Sequence, residues 1–162
     1  MFRIGFGQDS HRFSEDENKK LILGGVEIGG ERGLVSNSDG DLILHAICAA
    51  IEQSLGRVNF SVYADEMCQR GIIDSGEYLK VAKNHLKEAG YAVNNLGISI
   101  EGKRPKILPI EDKIKDNLAR ILEIDKQQLG INATSGEGLT AFGRGEGIQV
   151  FVIISLKKDE KS

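Results

Sequence analysis

The alternation of apolar and polar residues predicts several strands. Residues 1–9 alternate between apolar side chains and polar or glycine positions, as strands do. Residues 21–30 (LILGGVEIGG) form two short apolar runs around a Gly-Gly pair, which predicts a hairpin. Further strands are expected over 91–101, 129–135 and 148–156, and the last of these is rich in β-branched residues.

A helical period of apolar residues predicts three helices. The first runs from residue 42 to about 55, with Ser38 as the expected N-cap and Asp41 three positions later. The second covers residues 75–90, and the third runs from Pro109, in its first turn, to about residue 124. Residues 56–74 are aperiodic and are expected to form a mobile or ligand-covering loop. The tail at 157–162 is expected to be frayed.

This order of elements predicts an α/β sandwich. We expect a single domain over residues 1–162, with one mostly mixed β-sheet and helices on one face. The closing strand is apolar at almost every position, so both of its faces are expected to be buried. Burial of both faces would fit packing against other subunits.

Composition narrows the classes of function and location. The net charge of -3 argues against a nucleic-acid-binding surface, because it leaves no excess of cations for a run of phosphates. Cys48 and Cys68 lack metal-site spacing and are interpreted as buried thiols in a reducing compartment. No signal peptide and no apolar run of about 20 residues is apparent, so we expect a cytoplasmic protein with no membrane partner.

Two of the three histidines in the chain belong to a candidate metal site. Asp9 and His11 lie two positions apart at a strand end and would project to the same face, and His45 follows the expected start of the first helix. An Asp/His/His set suits Zn²⁺ and leaves a fourth position open. The alternative is that Asp9 and His11 are surface residues and His45 is a hydrogen-bonded helix residue. His85 lies among apolar helix positions and is expected to be structural.

Two further groups could meet a phosphate. Thr134, Ser135 and Glu137 offer two hydroxyls and a hard carboxylate, which suit a phosphate with Mg²⁺ or Mn²⁺, although an exposed polar turn is the alternative. A basic cluster at residues 103–106 could bind an anion or be solvated. The glycine-rich run at 143–147 matches no specific phosphate-binding motif.

Five segments follow the order and spacing of one known family. They are RIGFGQDSHRF, LILGGVEI, SDGDLILHA, PKILP and ATSGEGLTAFGRGEGI. Together the segments make the chain resemble the 2-C-methyl-D-erythritol 2,4-cyclodiphosphate synthase family. The resemblance extends over essentially the whole chain.

The resemblance implies a metal-dependent phosphorus–oxygen lyase of the non-mevalonate isoprenoid pathway. The implied reaction cyclises 4-diphosphocytidyl-2-C-methyl-D-erythritol 2-phosphate, a small phosphorylated cytidine substrate, and releases CMP. Zn²⁺ or another divalent ion would bind Asp9, His11 and His45, and a second ion, Mg²⁺ or Mn²⁺, would bind near Glu137. The family also implies a homotrimer with active sites between subunits and an axial channel near Arg144 and Glu146.

The same resemblance assigns contacts with the substrate. Asn37 and Ser135 fall at catalytic positions. The implied substrate-binding residues are Asp9, His11, Asn37, Ser38, Lys103, Arg104, Pro105, Lys106, Thr134, Ser135, Gly136, Glu137 and Arg144.

The chain departs from the family pattern around the substrate. Asn37 stands where the family has a histidine, Ala49 where an aspartate is common, and Gly136 where a threonine is usual. Residues 57–66 replace the family's D-I-G-x-x-F-P-D-T-D stretch, and Arg57 falls at its ribose-binding aspartate. Two alternatives therefore stay open. A divergent paralogue could bind metal and nucleotide without this turnover, or could act on another phosphorylated or nucleotidyl substrate.

Overall fold

The computed structural model describes residues 1–159, which contain six β-strands and four α-helices. In chain order the elements are β1 Phe2–Arg12, β2 Lys20–Leu23, β3 Val26–Arg32, α1 Leu42–Ser54, α2 Ser61–Gln69, α3 Ser75–Glu88, β4 Tyr91–Glu101, α4 Glu111–Leu122, β5 Leu129–Thr134 and β6 Gly147–Lys158.

Four of the strands form one mixed sheet in the order β1-β6-β4-β5. Strand β6 is antiparallel to both β1 and β4, whereas β4 and β5 are parallel. The predicted α/β fold class with a mixed sheet is therefore confirmed. The predicted hairpin also forms, but β2 and β3 make a separate two-stranded sheet instead of joining the main one.

Helix α1 lies in backbone contact with strand β1. A methyl group added at Gly5 would lie 1.9 Å from the carbonyl oxygen of Ala50, and one added at Gly7 would lie 2.0 Å from that of Ala46. Only glycine therefore fits at these two strand positions. Side chains two apart on a strand share a face, so this face continues directly into Asp9.

Asp41, and not Ser38, is the N-cap of α1. Its carboxylate accepts the backbone N–H of Leu44 at 3.1 Å and also those of Gly24 and Gly25, at 2.9 and 2.6 Å, in the turn of the hairpin. Burial raises the pKa of Asp41 to about 6, and these three N–H donors oppose that rise. The Ser38 hydroxyl instead accepts the N–H of Gly40 at 3.2 Å, in the turn before the helix.

The segment expected to be a loop contains helix α2. The sequence shows no helical period of apolar residues here, because Ala64 is the one buried residue of this helix.

A buried carboxylate, Glu52 of α1, connects this region to the core. It contacts the Tyr63 hydroxyl at 3.1 Å, His85 Nδ1 at 2.8 Å and Arg57 Nε at 3.2 Å. His85 is thus structural, as expected.

Several boundaries differ from those expected. Strand β1 continues past Asp9 to Arg12, and β6 continues through residues 157–158, which were expected to fray. Asp159 follows the strand and donates its backbone N–H to the Gly90 carbonyl at 3.0 Å, and residues 160–162 of the predicted tail lie outside the described part. Helix α4 begins at Glu111, two residues after Pro109. Cys48 is buried as expected, but Cys68 is only half-buried.

The closing strand is covered on one face only in the single chain. Its helix-side residues are buried, but Ile153 on the other face is 55% exposed. Ile4 and Phe6 of the neighbouring β1 are 68% and 46% exposed, and Phe151 stacks on Phe6 at a centroid distance of 5.9 Å. The expectation that both faces are buried is therefore wrong for one chain.

No helix within residues 1–159 has the length and apolar content that crossing a membrane requires.

We predict that Gly7→Ala destabilises the fold by about 3 kcal/mol, because the new methyl group must push α1 away from β1. Gly130→Ala is the matched control, since that strand position has no neighbour within 4 Å of an added methyl group. Urea unfolding of the two variants measures the difference. Equal stabilities would contradict the close packing of α1 on β1.

Candidate metal centre

Asp9, His11 and His45 form a group that could hold a metal ion. One ligand atom from each residue lies within 4.8 Å of the other two. Asp9 Oδ2 is 2.8 Å from His45 Nδ1 and 3.4 Å from His11 Nε2. Strand alternation directs Asp9 and His11 to the same face, and α1 brings His45 over that face in its first turn.

The imidazole of His45 is buried and has neighbours at both ring nitrogens. His45 is 7% exposed, and its ring packs near those of Phe60 and Tyr78, at centroid distances of 5.4 and 6.1 Å. Nδ1 faces Asp9, whereas Nε2 lies 2.7 Å from the Ser75 hydroxyl and 3.4 Å from that of Ser38. The ring therefore has one nitrogen toward the candidate metal position and the other toward α3.

The charge of Asp9 suits a cation site. Burial alone would raise the pKa of this carboxyl, but the side chains of His11 and His45 outweigh that effect and lower it to about 2. Asp9 is therefore ionised at neutral pH, and a carboxylate with two imidazoles is a donor set that Zn²⁺ accepts.

A cavity of about 330 Å³ opens beside this group. Asn37 and Ser38 line it on one side, and Phe60, Asp65 and Cys68 line it on the side of α2. The Cys68 thiol donates to the backbone carbonyl of Asn37 at 3.2 Å, so α2 contacts the segment before α1. Arg57 is not among the residues that line this cavity, and its guanidinium pairs with Glu52 instead.

A second cavity, of about 420 Å³, lies on the β5 side of the sheet. Five of the predicted substrate-binding residues line it: Lys103, Pro105, Lys106, Thr134 and Ser135. The Arg104 guanidinium instead lies 4.5 Å from the centre of the Phe13 ring and 3.9 Å from a Glu31 carboxylate oxygen.

The remaining predicted residues lie in the turns after β5. Gly136 and Glu137 belong to a short 3-10 turn, and Glu137 is exposed with a φ of 52°. Arg144 Nε pairs with Glu146 Oε1 at 3.1 Å in the glycine-rich turn. Glu137 is not among the residues that gather around Asp9.

The two cavities of one chain lie on opposite edges of the sheet. The register aligns Ser10, Gln149, Glu101 and Thr134 in a row across the four strands. Three strand spacings separate the ends of that row by about 14 Å. One chain therefore does not bring the Asp9 group and the Thr134 group together.

Sequence reasoning missed the residues that surround His45. Ser75, Phe60 and Tyr78 reach it from α3 and from the start of α2, which are distant in sequence. No spacing rule connects a helix-opening serine to a histidine 30 positions earlier. Nothing in the sequence pattern could have identified this contact.

The fold and the site define a small α/β protein with an Asp/His/His group that could hold a metal. The chain belongs to the YgbB family, whose pattern matches residues 2–157. It is 42% identical to the 2-C-methyl-D-erythritol 2,4-cyclodiphosphate synthase of Chlamydia muridarum. The match extends over 158 residues, which are 96% of this chain and 88% of that protein. Its identity to the synthase of Chlamydia abortus is 45%, with 96% and 89% covered.

Solved structures agree with this family. The chain superimposes on IspF of Plasmodium falciparum in complex with CDP with a TM-score of 0.86 and 31% identity, covering 98% of this chain and 97% of that one. A CDP-bound 2C-methyl-D-erythritol-2,4-cyclodiphosphate synthase gives a TM-score of 0.86 at 26% identity, covering 96% and 100%.

The lowered pKa of Asp9 predicts a pH dependence for the metal-free protein. Because the folded pKa, about 2, lies below the ordinary 3.8, ionised Asp9 stabilises the fold above pH 3.8, and this stabilisation is lost as the pH falls through 2. The loss should amount to roughly 2 kcal/mol. Urea unfolding of wild type and Asp9→Asn between pH 5 and 2, in chelator, measures it. A stability difference that does not change with pH would contradict the assignment.

Proposed function

We propose that the chain catalyses the metal-dependent cyclisation of 4-diphosphocytidyl-2-C-methyl-D-erythritol 2-phosphate to 2-C-methyl-D-erythritol 2,4-cyclodiphosphate, with release of CMP. The Asp9, His11 and His45 group beside a cavity carries this proposal, in a chain whose relatives bear the name of this synthase. The reaction class is that of a phosphorus–oxygen lyase. A cytoplasmic location fits the two free thiols.

The reaction is an intramolecular phosphoryl transfer. An oxygen of the 2-phosphate attacks the β-phosphorus of the diphosphate and closes the ring. The bond from the β-phosphorus to the bridging oxygen breaks, and CMP leaves with that oxygen. No protein nucleophile is needed, so the side chains act by holding two anionic groups of one substrate in line.

Two positions would hold cations. Asp9, His11 and His45 fit Zn²⁺ because they offer two imidazoles and an ionised carboxylate. Glu137 is an exposed, hard carboxylate beside the hydroxyls of Thr134 and Ser135, and it fits Mg²⁺ or Mn²⁺. Bound divalent ions supply positive charge that neutralises the phosphate oxygens and the leaving group.

The β5-side cavity is proposed to take the cytidine end of the substrate. Lys103, Lys106, Thr134 and Ser135 line it with ammonium groups and hydroxyls that suit a nucleotide. Relatives whose structures were solved with CDP support a cytidine nucleotide as the ligand. Asn37 and Ser38, in the cavity beside Asp9, would contact the phosphorylated methylerythritol end. There Asn37 would donate a hydrogen bond but carry no charge, and Arg144 is proposed to act from the glycine-rich turn.

We propose a homotrimer with active sites between subunits. The apolar face around Phe6 and Ile153 is uncovered in one chain, and contiguous exposed apolar surface of this kind marks an interface. In a closed ring, the Asp9 edge of one subunit would meet the Thr134 edge of the next. This arrangement would join the two cavities that one chain keeps about 14 Å apart.

We predict that purified protein loaded with Zn²⁺ and Mg²⁺ releases CMP from the cytidyl substrate, and that His45→Ala lowers the rate at least 100-fold because one of three ligands is lost. His85→Asn is the matched control, since His85 lies outside the metal group. Chromatography measures CMP. Absence of CMP, beside a relative that produces it, would contradict the proposed turnover. Retained CDP binding would then favour the non-catalytic paralogue, and lost binding would favour another substrate.

We predict that two inactive variants restore activity when their chains are mixed. His45→Ala impairs the metal edge and Glu137→Gln impairs the cytidine edge, so in randomly mixed trimers about a quarter of the sites pair two intact edges. The chains are unfolded, mixed and refolded together, and CMP release is compared with that of each variant refolded alone. A mixture as inactive as its components would contradict intersubunit sites.

A further inference from the structure

A chain of hydrogen bonds leads from the metal group to the start of α3. His45 Nε2 lies 2.7 Å from Ser75 Oγ, and the Ser75 hydroxyl donates in turn to Asp39 Oδ1. Asp39 also accepts the backbone N–H of Ser75 at 3.0 Å, so both hydrogen-bond donors of Ser75 meet one carboxylate. Ser75 is fully buried, which leaves no water to replace these partners.

The direction of these hydrogen bonds fixes the tautomer of His45. A carboxylate can only accept, so the single proton of the Ser75 hydroxyl goes to Asp39. Ser75 Oγ must then accept, and the donor that faces it is the Nε2–H of His45. The proton of a neutral imidazole is therefore on Nε2, and the lone pair of Nδ1 points toward Asp9.

This direction leaves an electron pair facing a negative charge. Nδ1 lies 2.8 Å from Asp9 Oδ2, and a carboxylate that binds a metal is ionised and can only accept. Two acceptors at this distance repel each other unless a cation lies between or beside them. The hydrogen bonds from Ser75 and Asp39 therefore favour the arrangement in which a metal binds Nδ1.

We propose that Ser75 and Asp39 are positioning residues that hold His45 in the Nε2–H tautomer and so present Nδ1 as a preformed ligand for the metal. The proposal rests on the metal site proposed above. Hydrogen bonds of this kind to the second nitrogen of a metal-binding histidine usually contribute 10–100-fold to metal affinity.

Ser38 does not take this role. Its hydroxyl is 3.4 Å from His45 Nε2, compared with 2.7 Å for Ser75. It also lies 3.0 Å from Ser36 Oγ and accepts the N–H of Gly40. Ser75 is therefore the closer acceptor, and it alone is oriented by a carboxylate.

The first test is the zinc affinity of three proteins, measured by competition with a chromophoric chelator. Ser75→Ala should bind Zn²⁺ about 10–100-fold more weakly than wild type. Asp74→Ala is the matched control, because it removes the N-cap bond of the same helix to Gly76 but leaves the Ser75 hydroxyl in place. It should bind Zn²⁺ within about threefold of wild type, and Ser75→Thr, which keeps the hydroxyl, should bind better than Ser75→Ala.

The second test uses wild type alone and does not depend on the folding of a variant. Nitrogen-15 NMR of the zinc-loaded protein should show a protonated Nε2 and a metal-bound Nδ1 for His45. Metal bound to Nε2 would overturn the proposal, and so would equal zinc affinity in Ser75→Ala and wild type. If wild type itself binds no zinc, the metal site is wrong, and that failure is distinct from failure of the positioning role.

Discussion

Helix α1 lies so close to strand β1 that no side chain fits between them at Gly5 and Gly7. This backbone contact determines where the next residues of both elements lie. Along the strand, the face that carries the two glycines continues to Asp9 and His11. On the helix, His45 precedes Ala46, the residue whose carbonyl meets Gly7. The distance of 2.8 Å between Asp9 and His45 is therefore a consequence of two missing side chains.

Two carboxylates, the buried Asp41 and the half-buried Asp39, hold the start of α1. Asp41 connects the helix start to the hairpin turn, and Asp39 connects it to the start of α3 through Ser75. Such groups cost desolvation free energy, and they remain stable here because each accepts several N–H or O–H donors. They fix α1, the hairpin and α3 relative to one another at the position where His45 leaves the helix. The metal group is thus supported by glycines on one side and by hydrogen bonds on the other.

The sequence predicts the parts of the site that local geometry controls. Strand alternation brings Asp9 and His11 to one face, and the helical period places His45 near the start of α1, so this group could be inferred without coordinates. Helix α2 could not, because only Ala64 is buried and no period results. The choice of Asp41 over Ser38 as N-cap also escaped prediction, since it depends on a hairpin turn 16 residues earlier. Contacts distant in sequence, such as Ser75 with His45, leave no local pattern.

The central claim is that Asp9, His11 and His45 bind one divalent metal. Crystals grown from protein purified without added metal and without chelators, with diffraction data on both sides of the zinc absorption edge, test it most directly. We expect an anomalous peak about 2.0–2.2 Å from an Asp9 carboxylate oxygen, His11 Nε2 and His45 Nδ1. A zinc peak elsewhere on the protein, or no peak together with no metal by elemental analysis, would contradict the account.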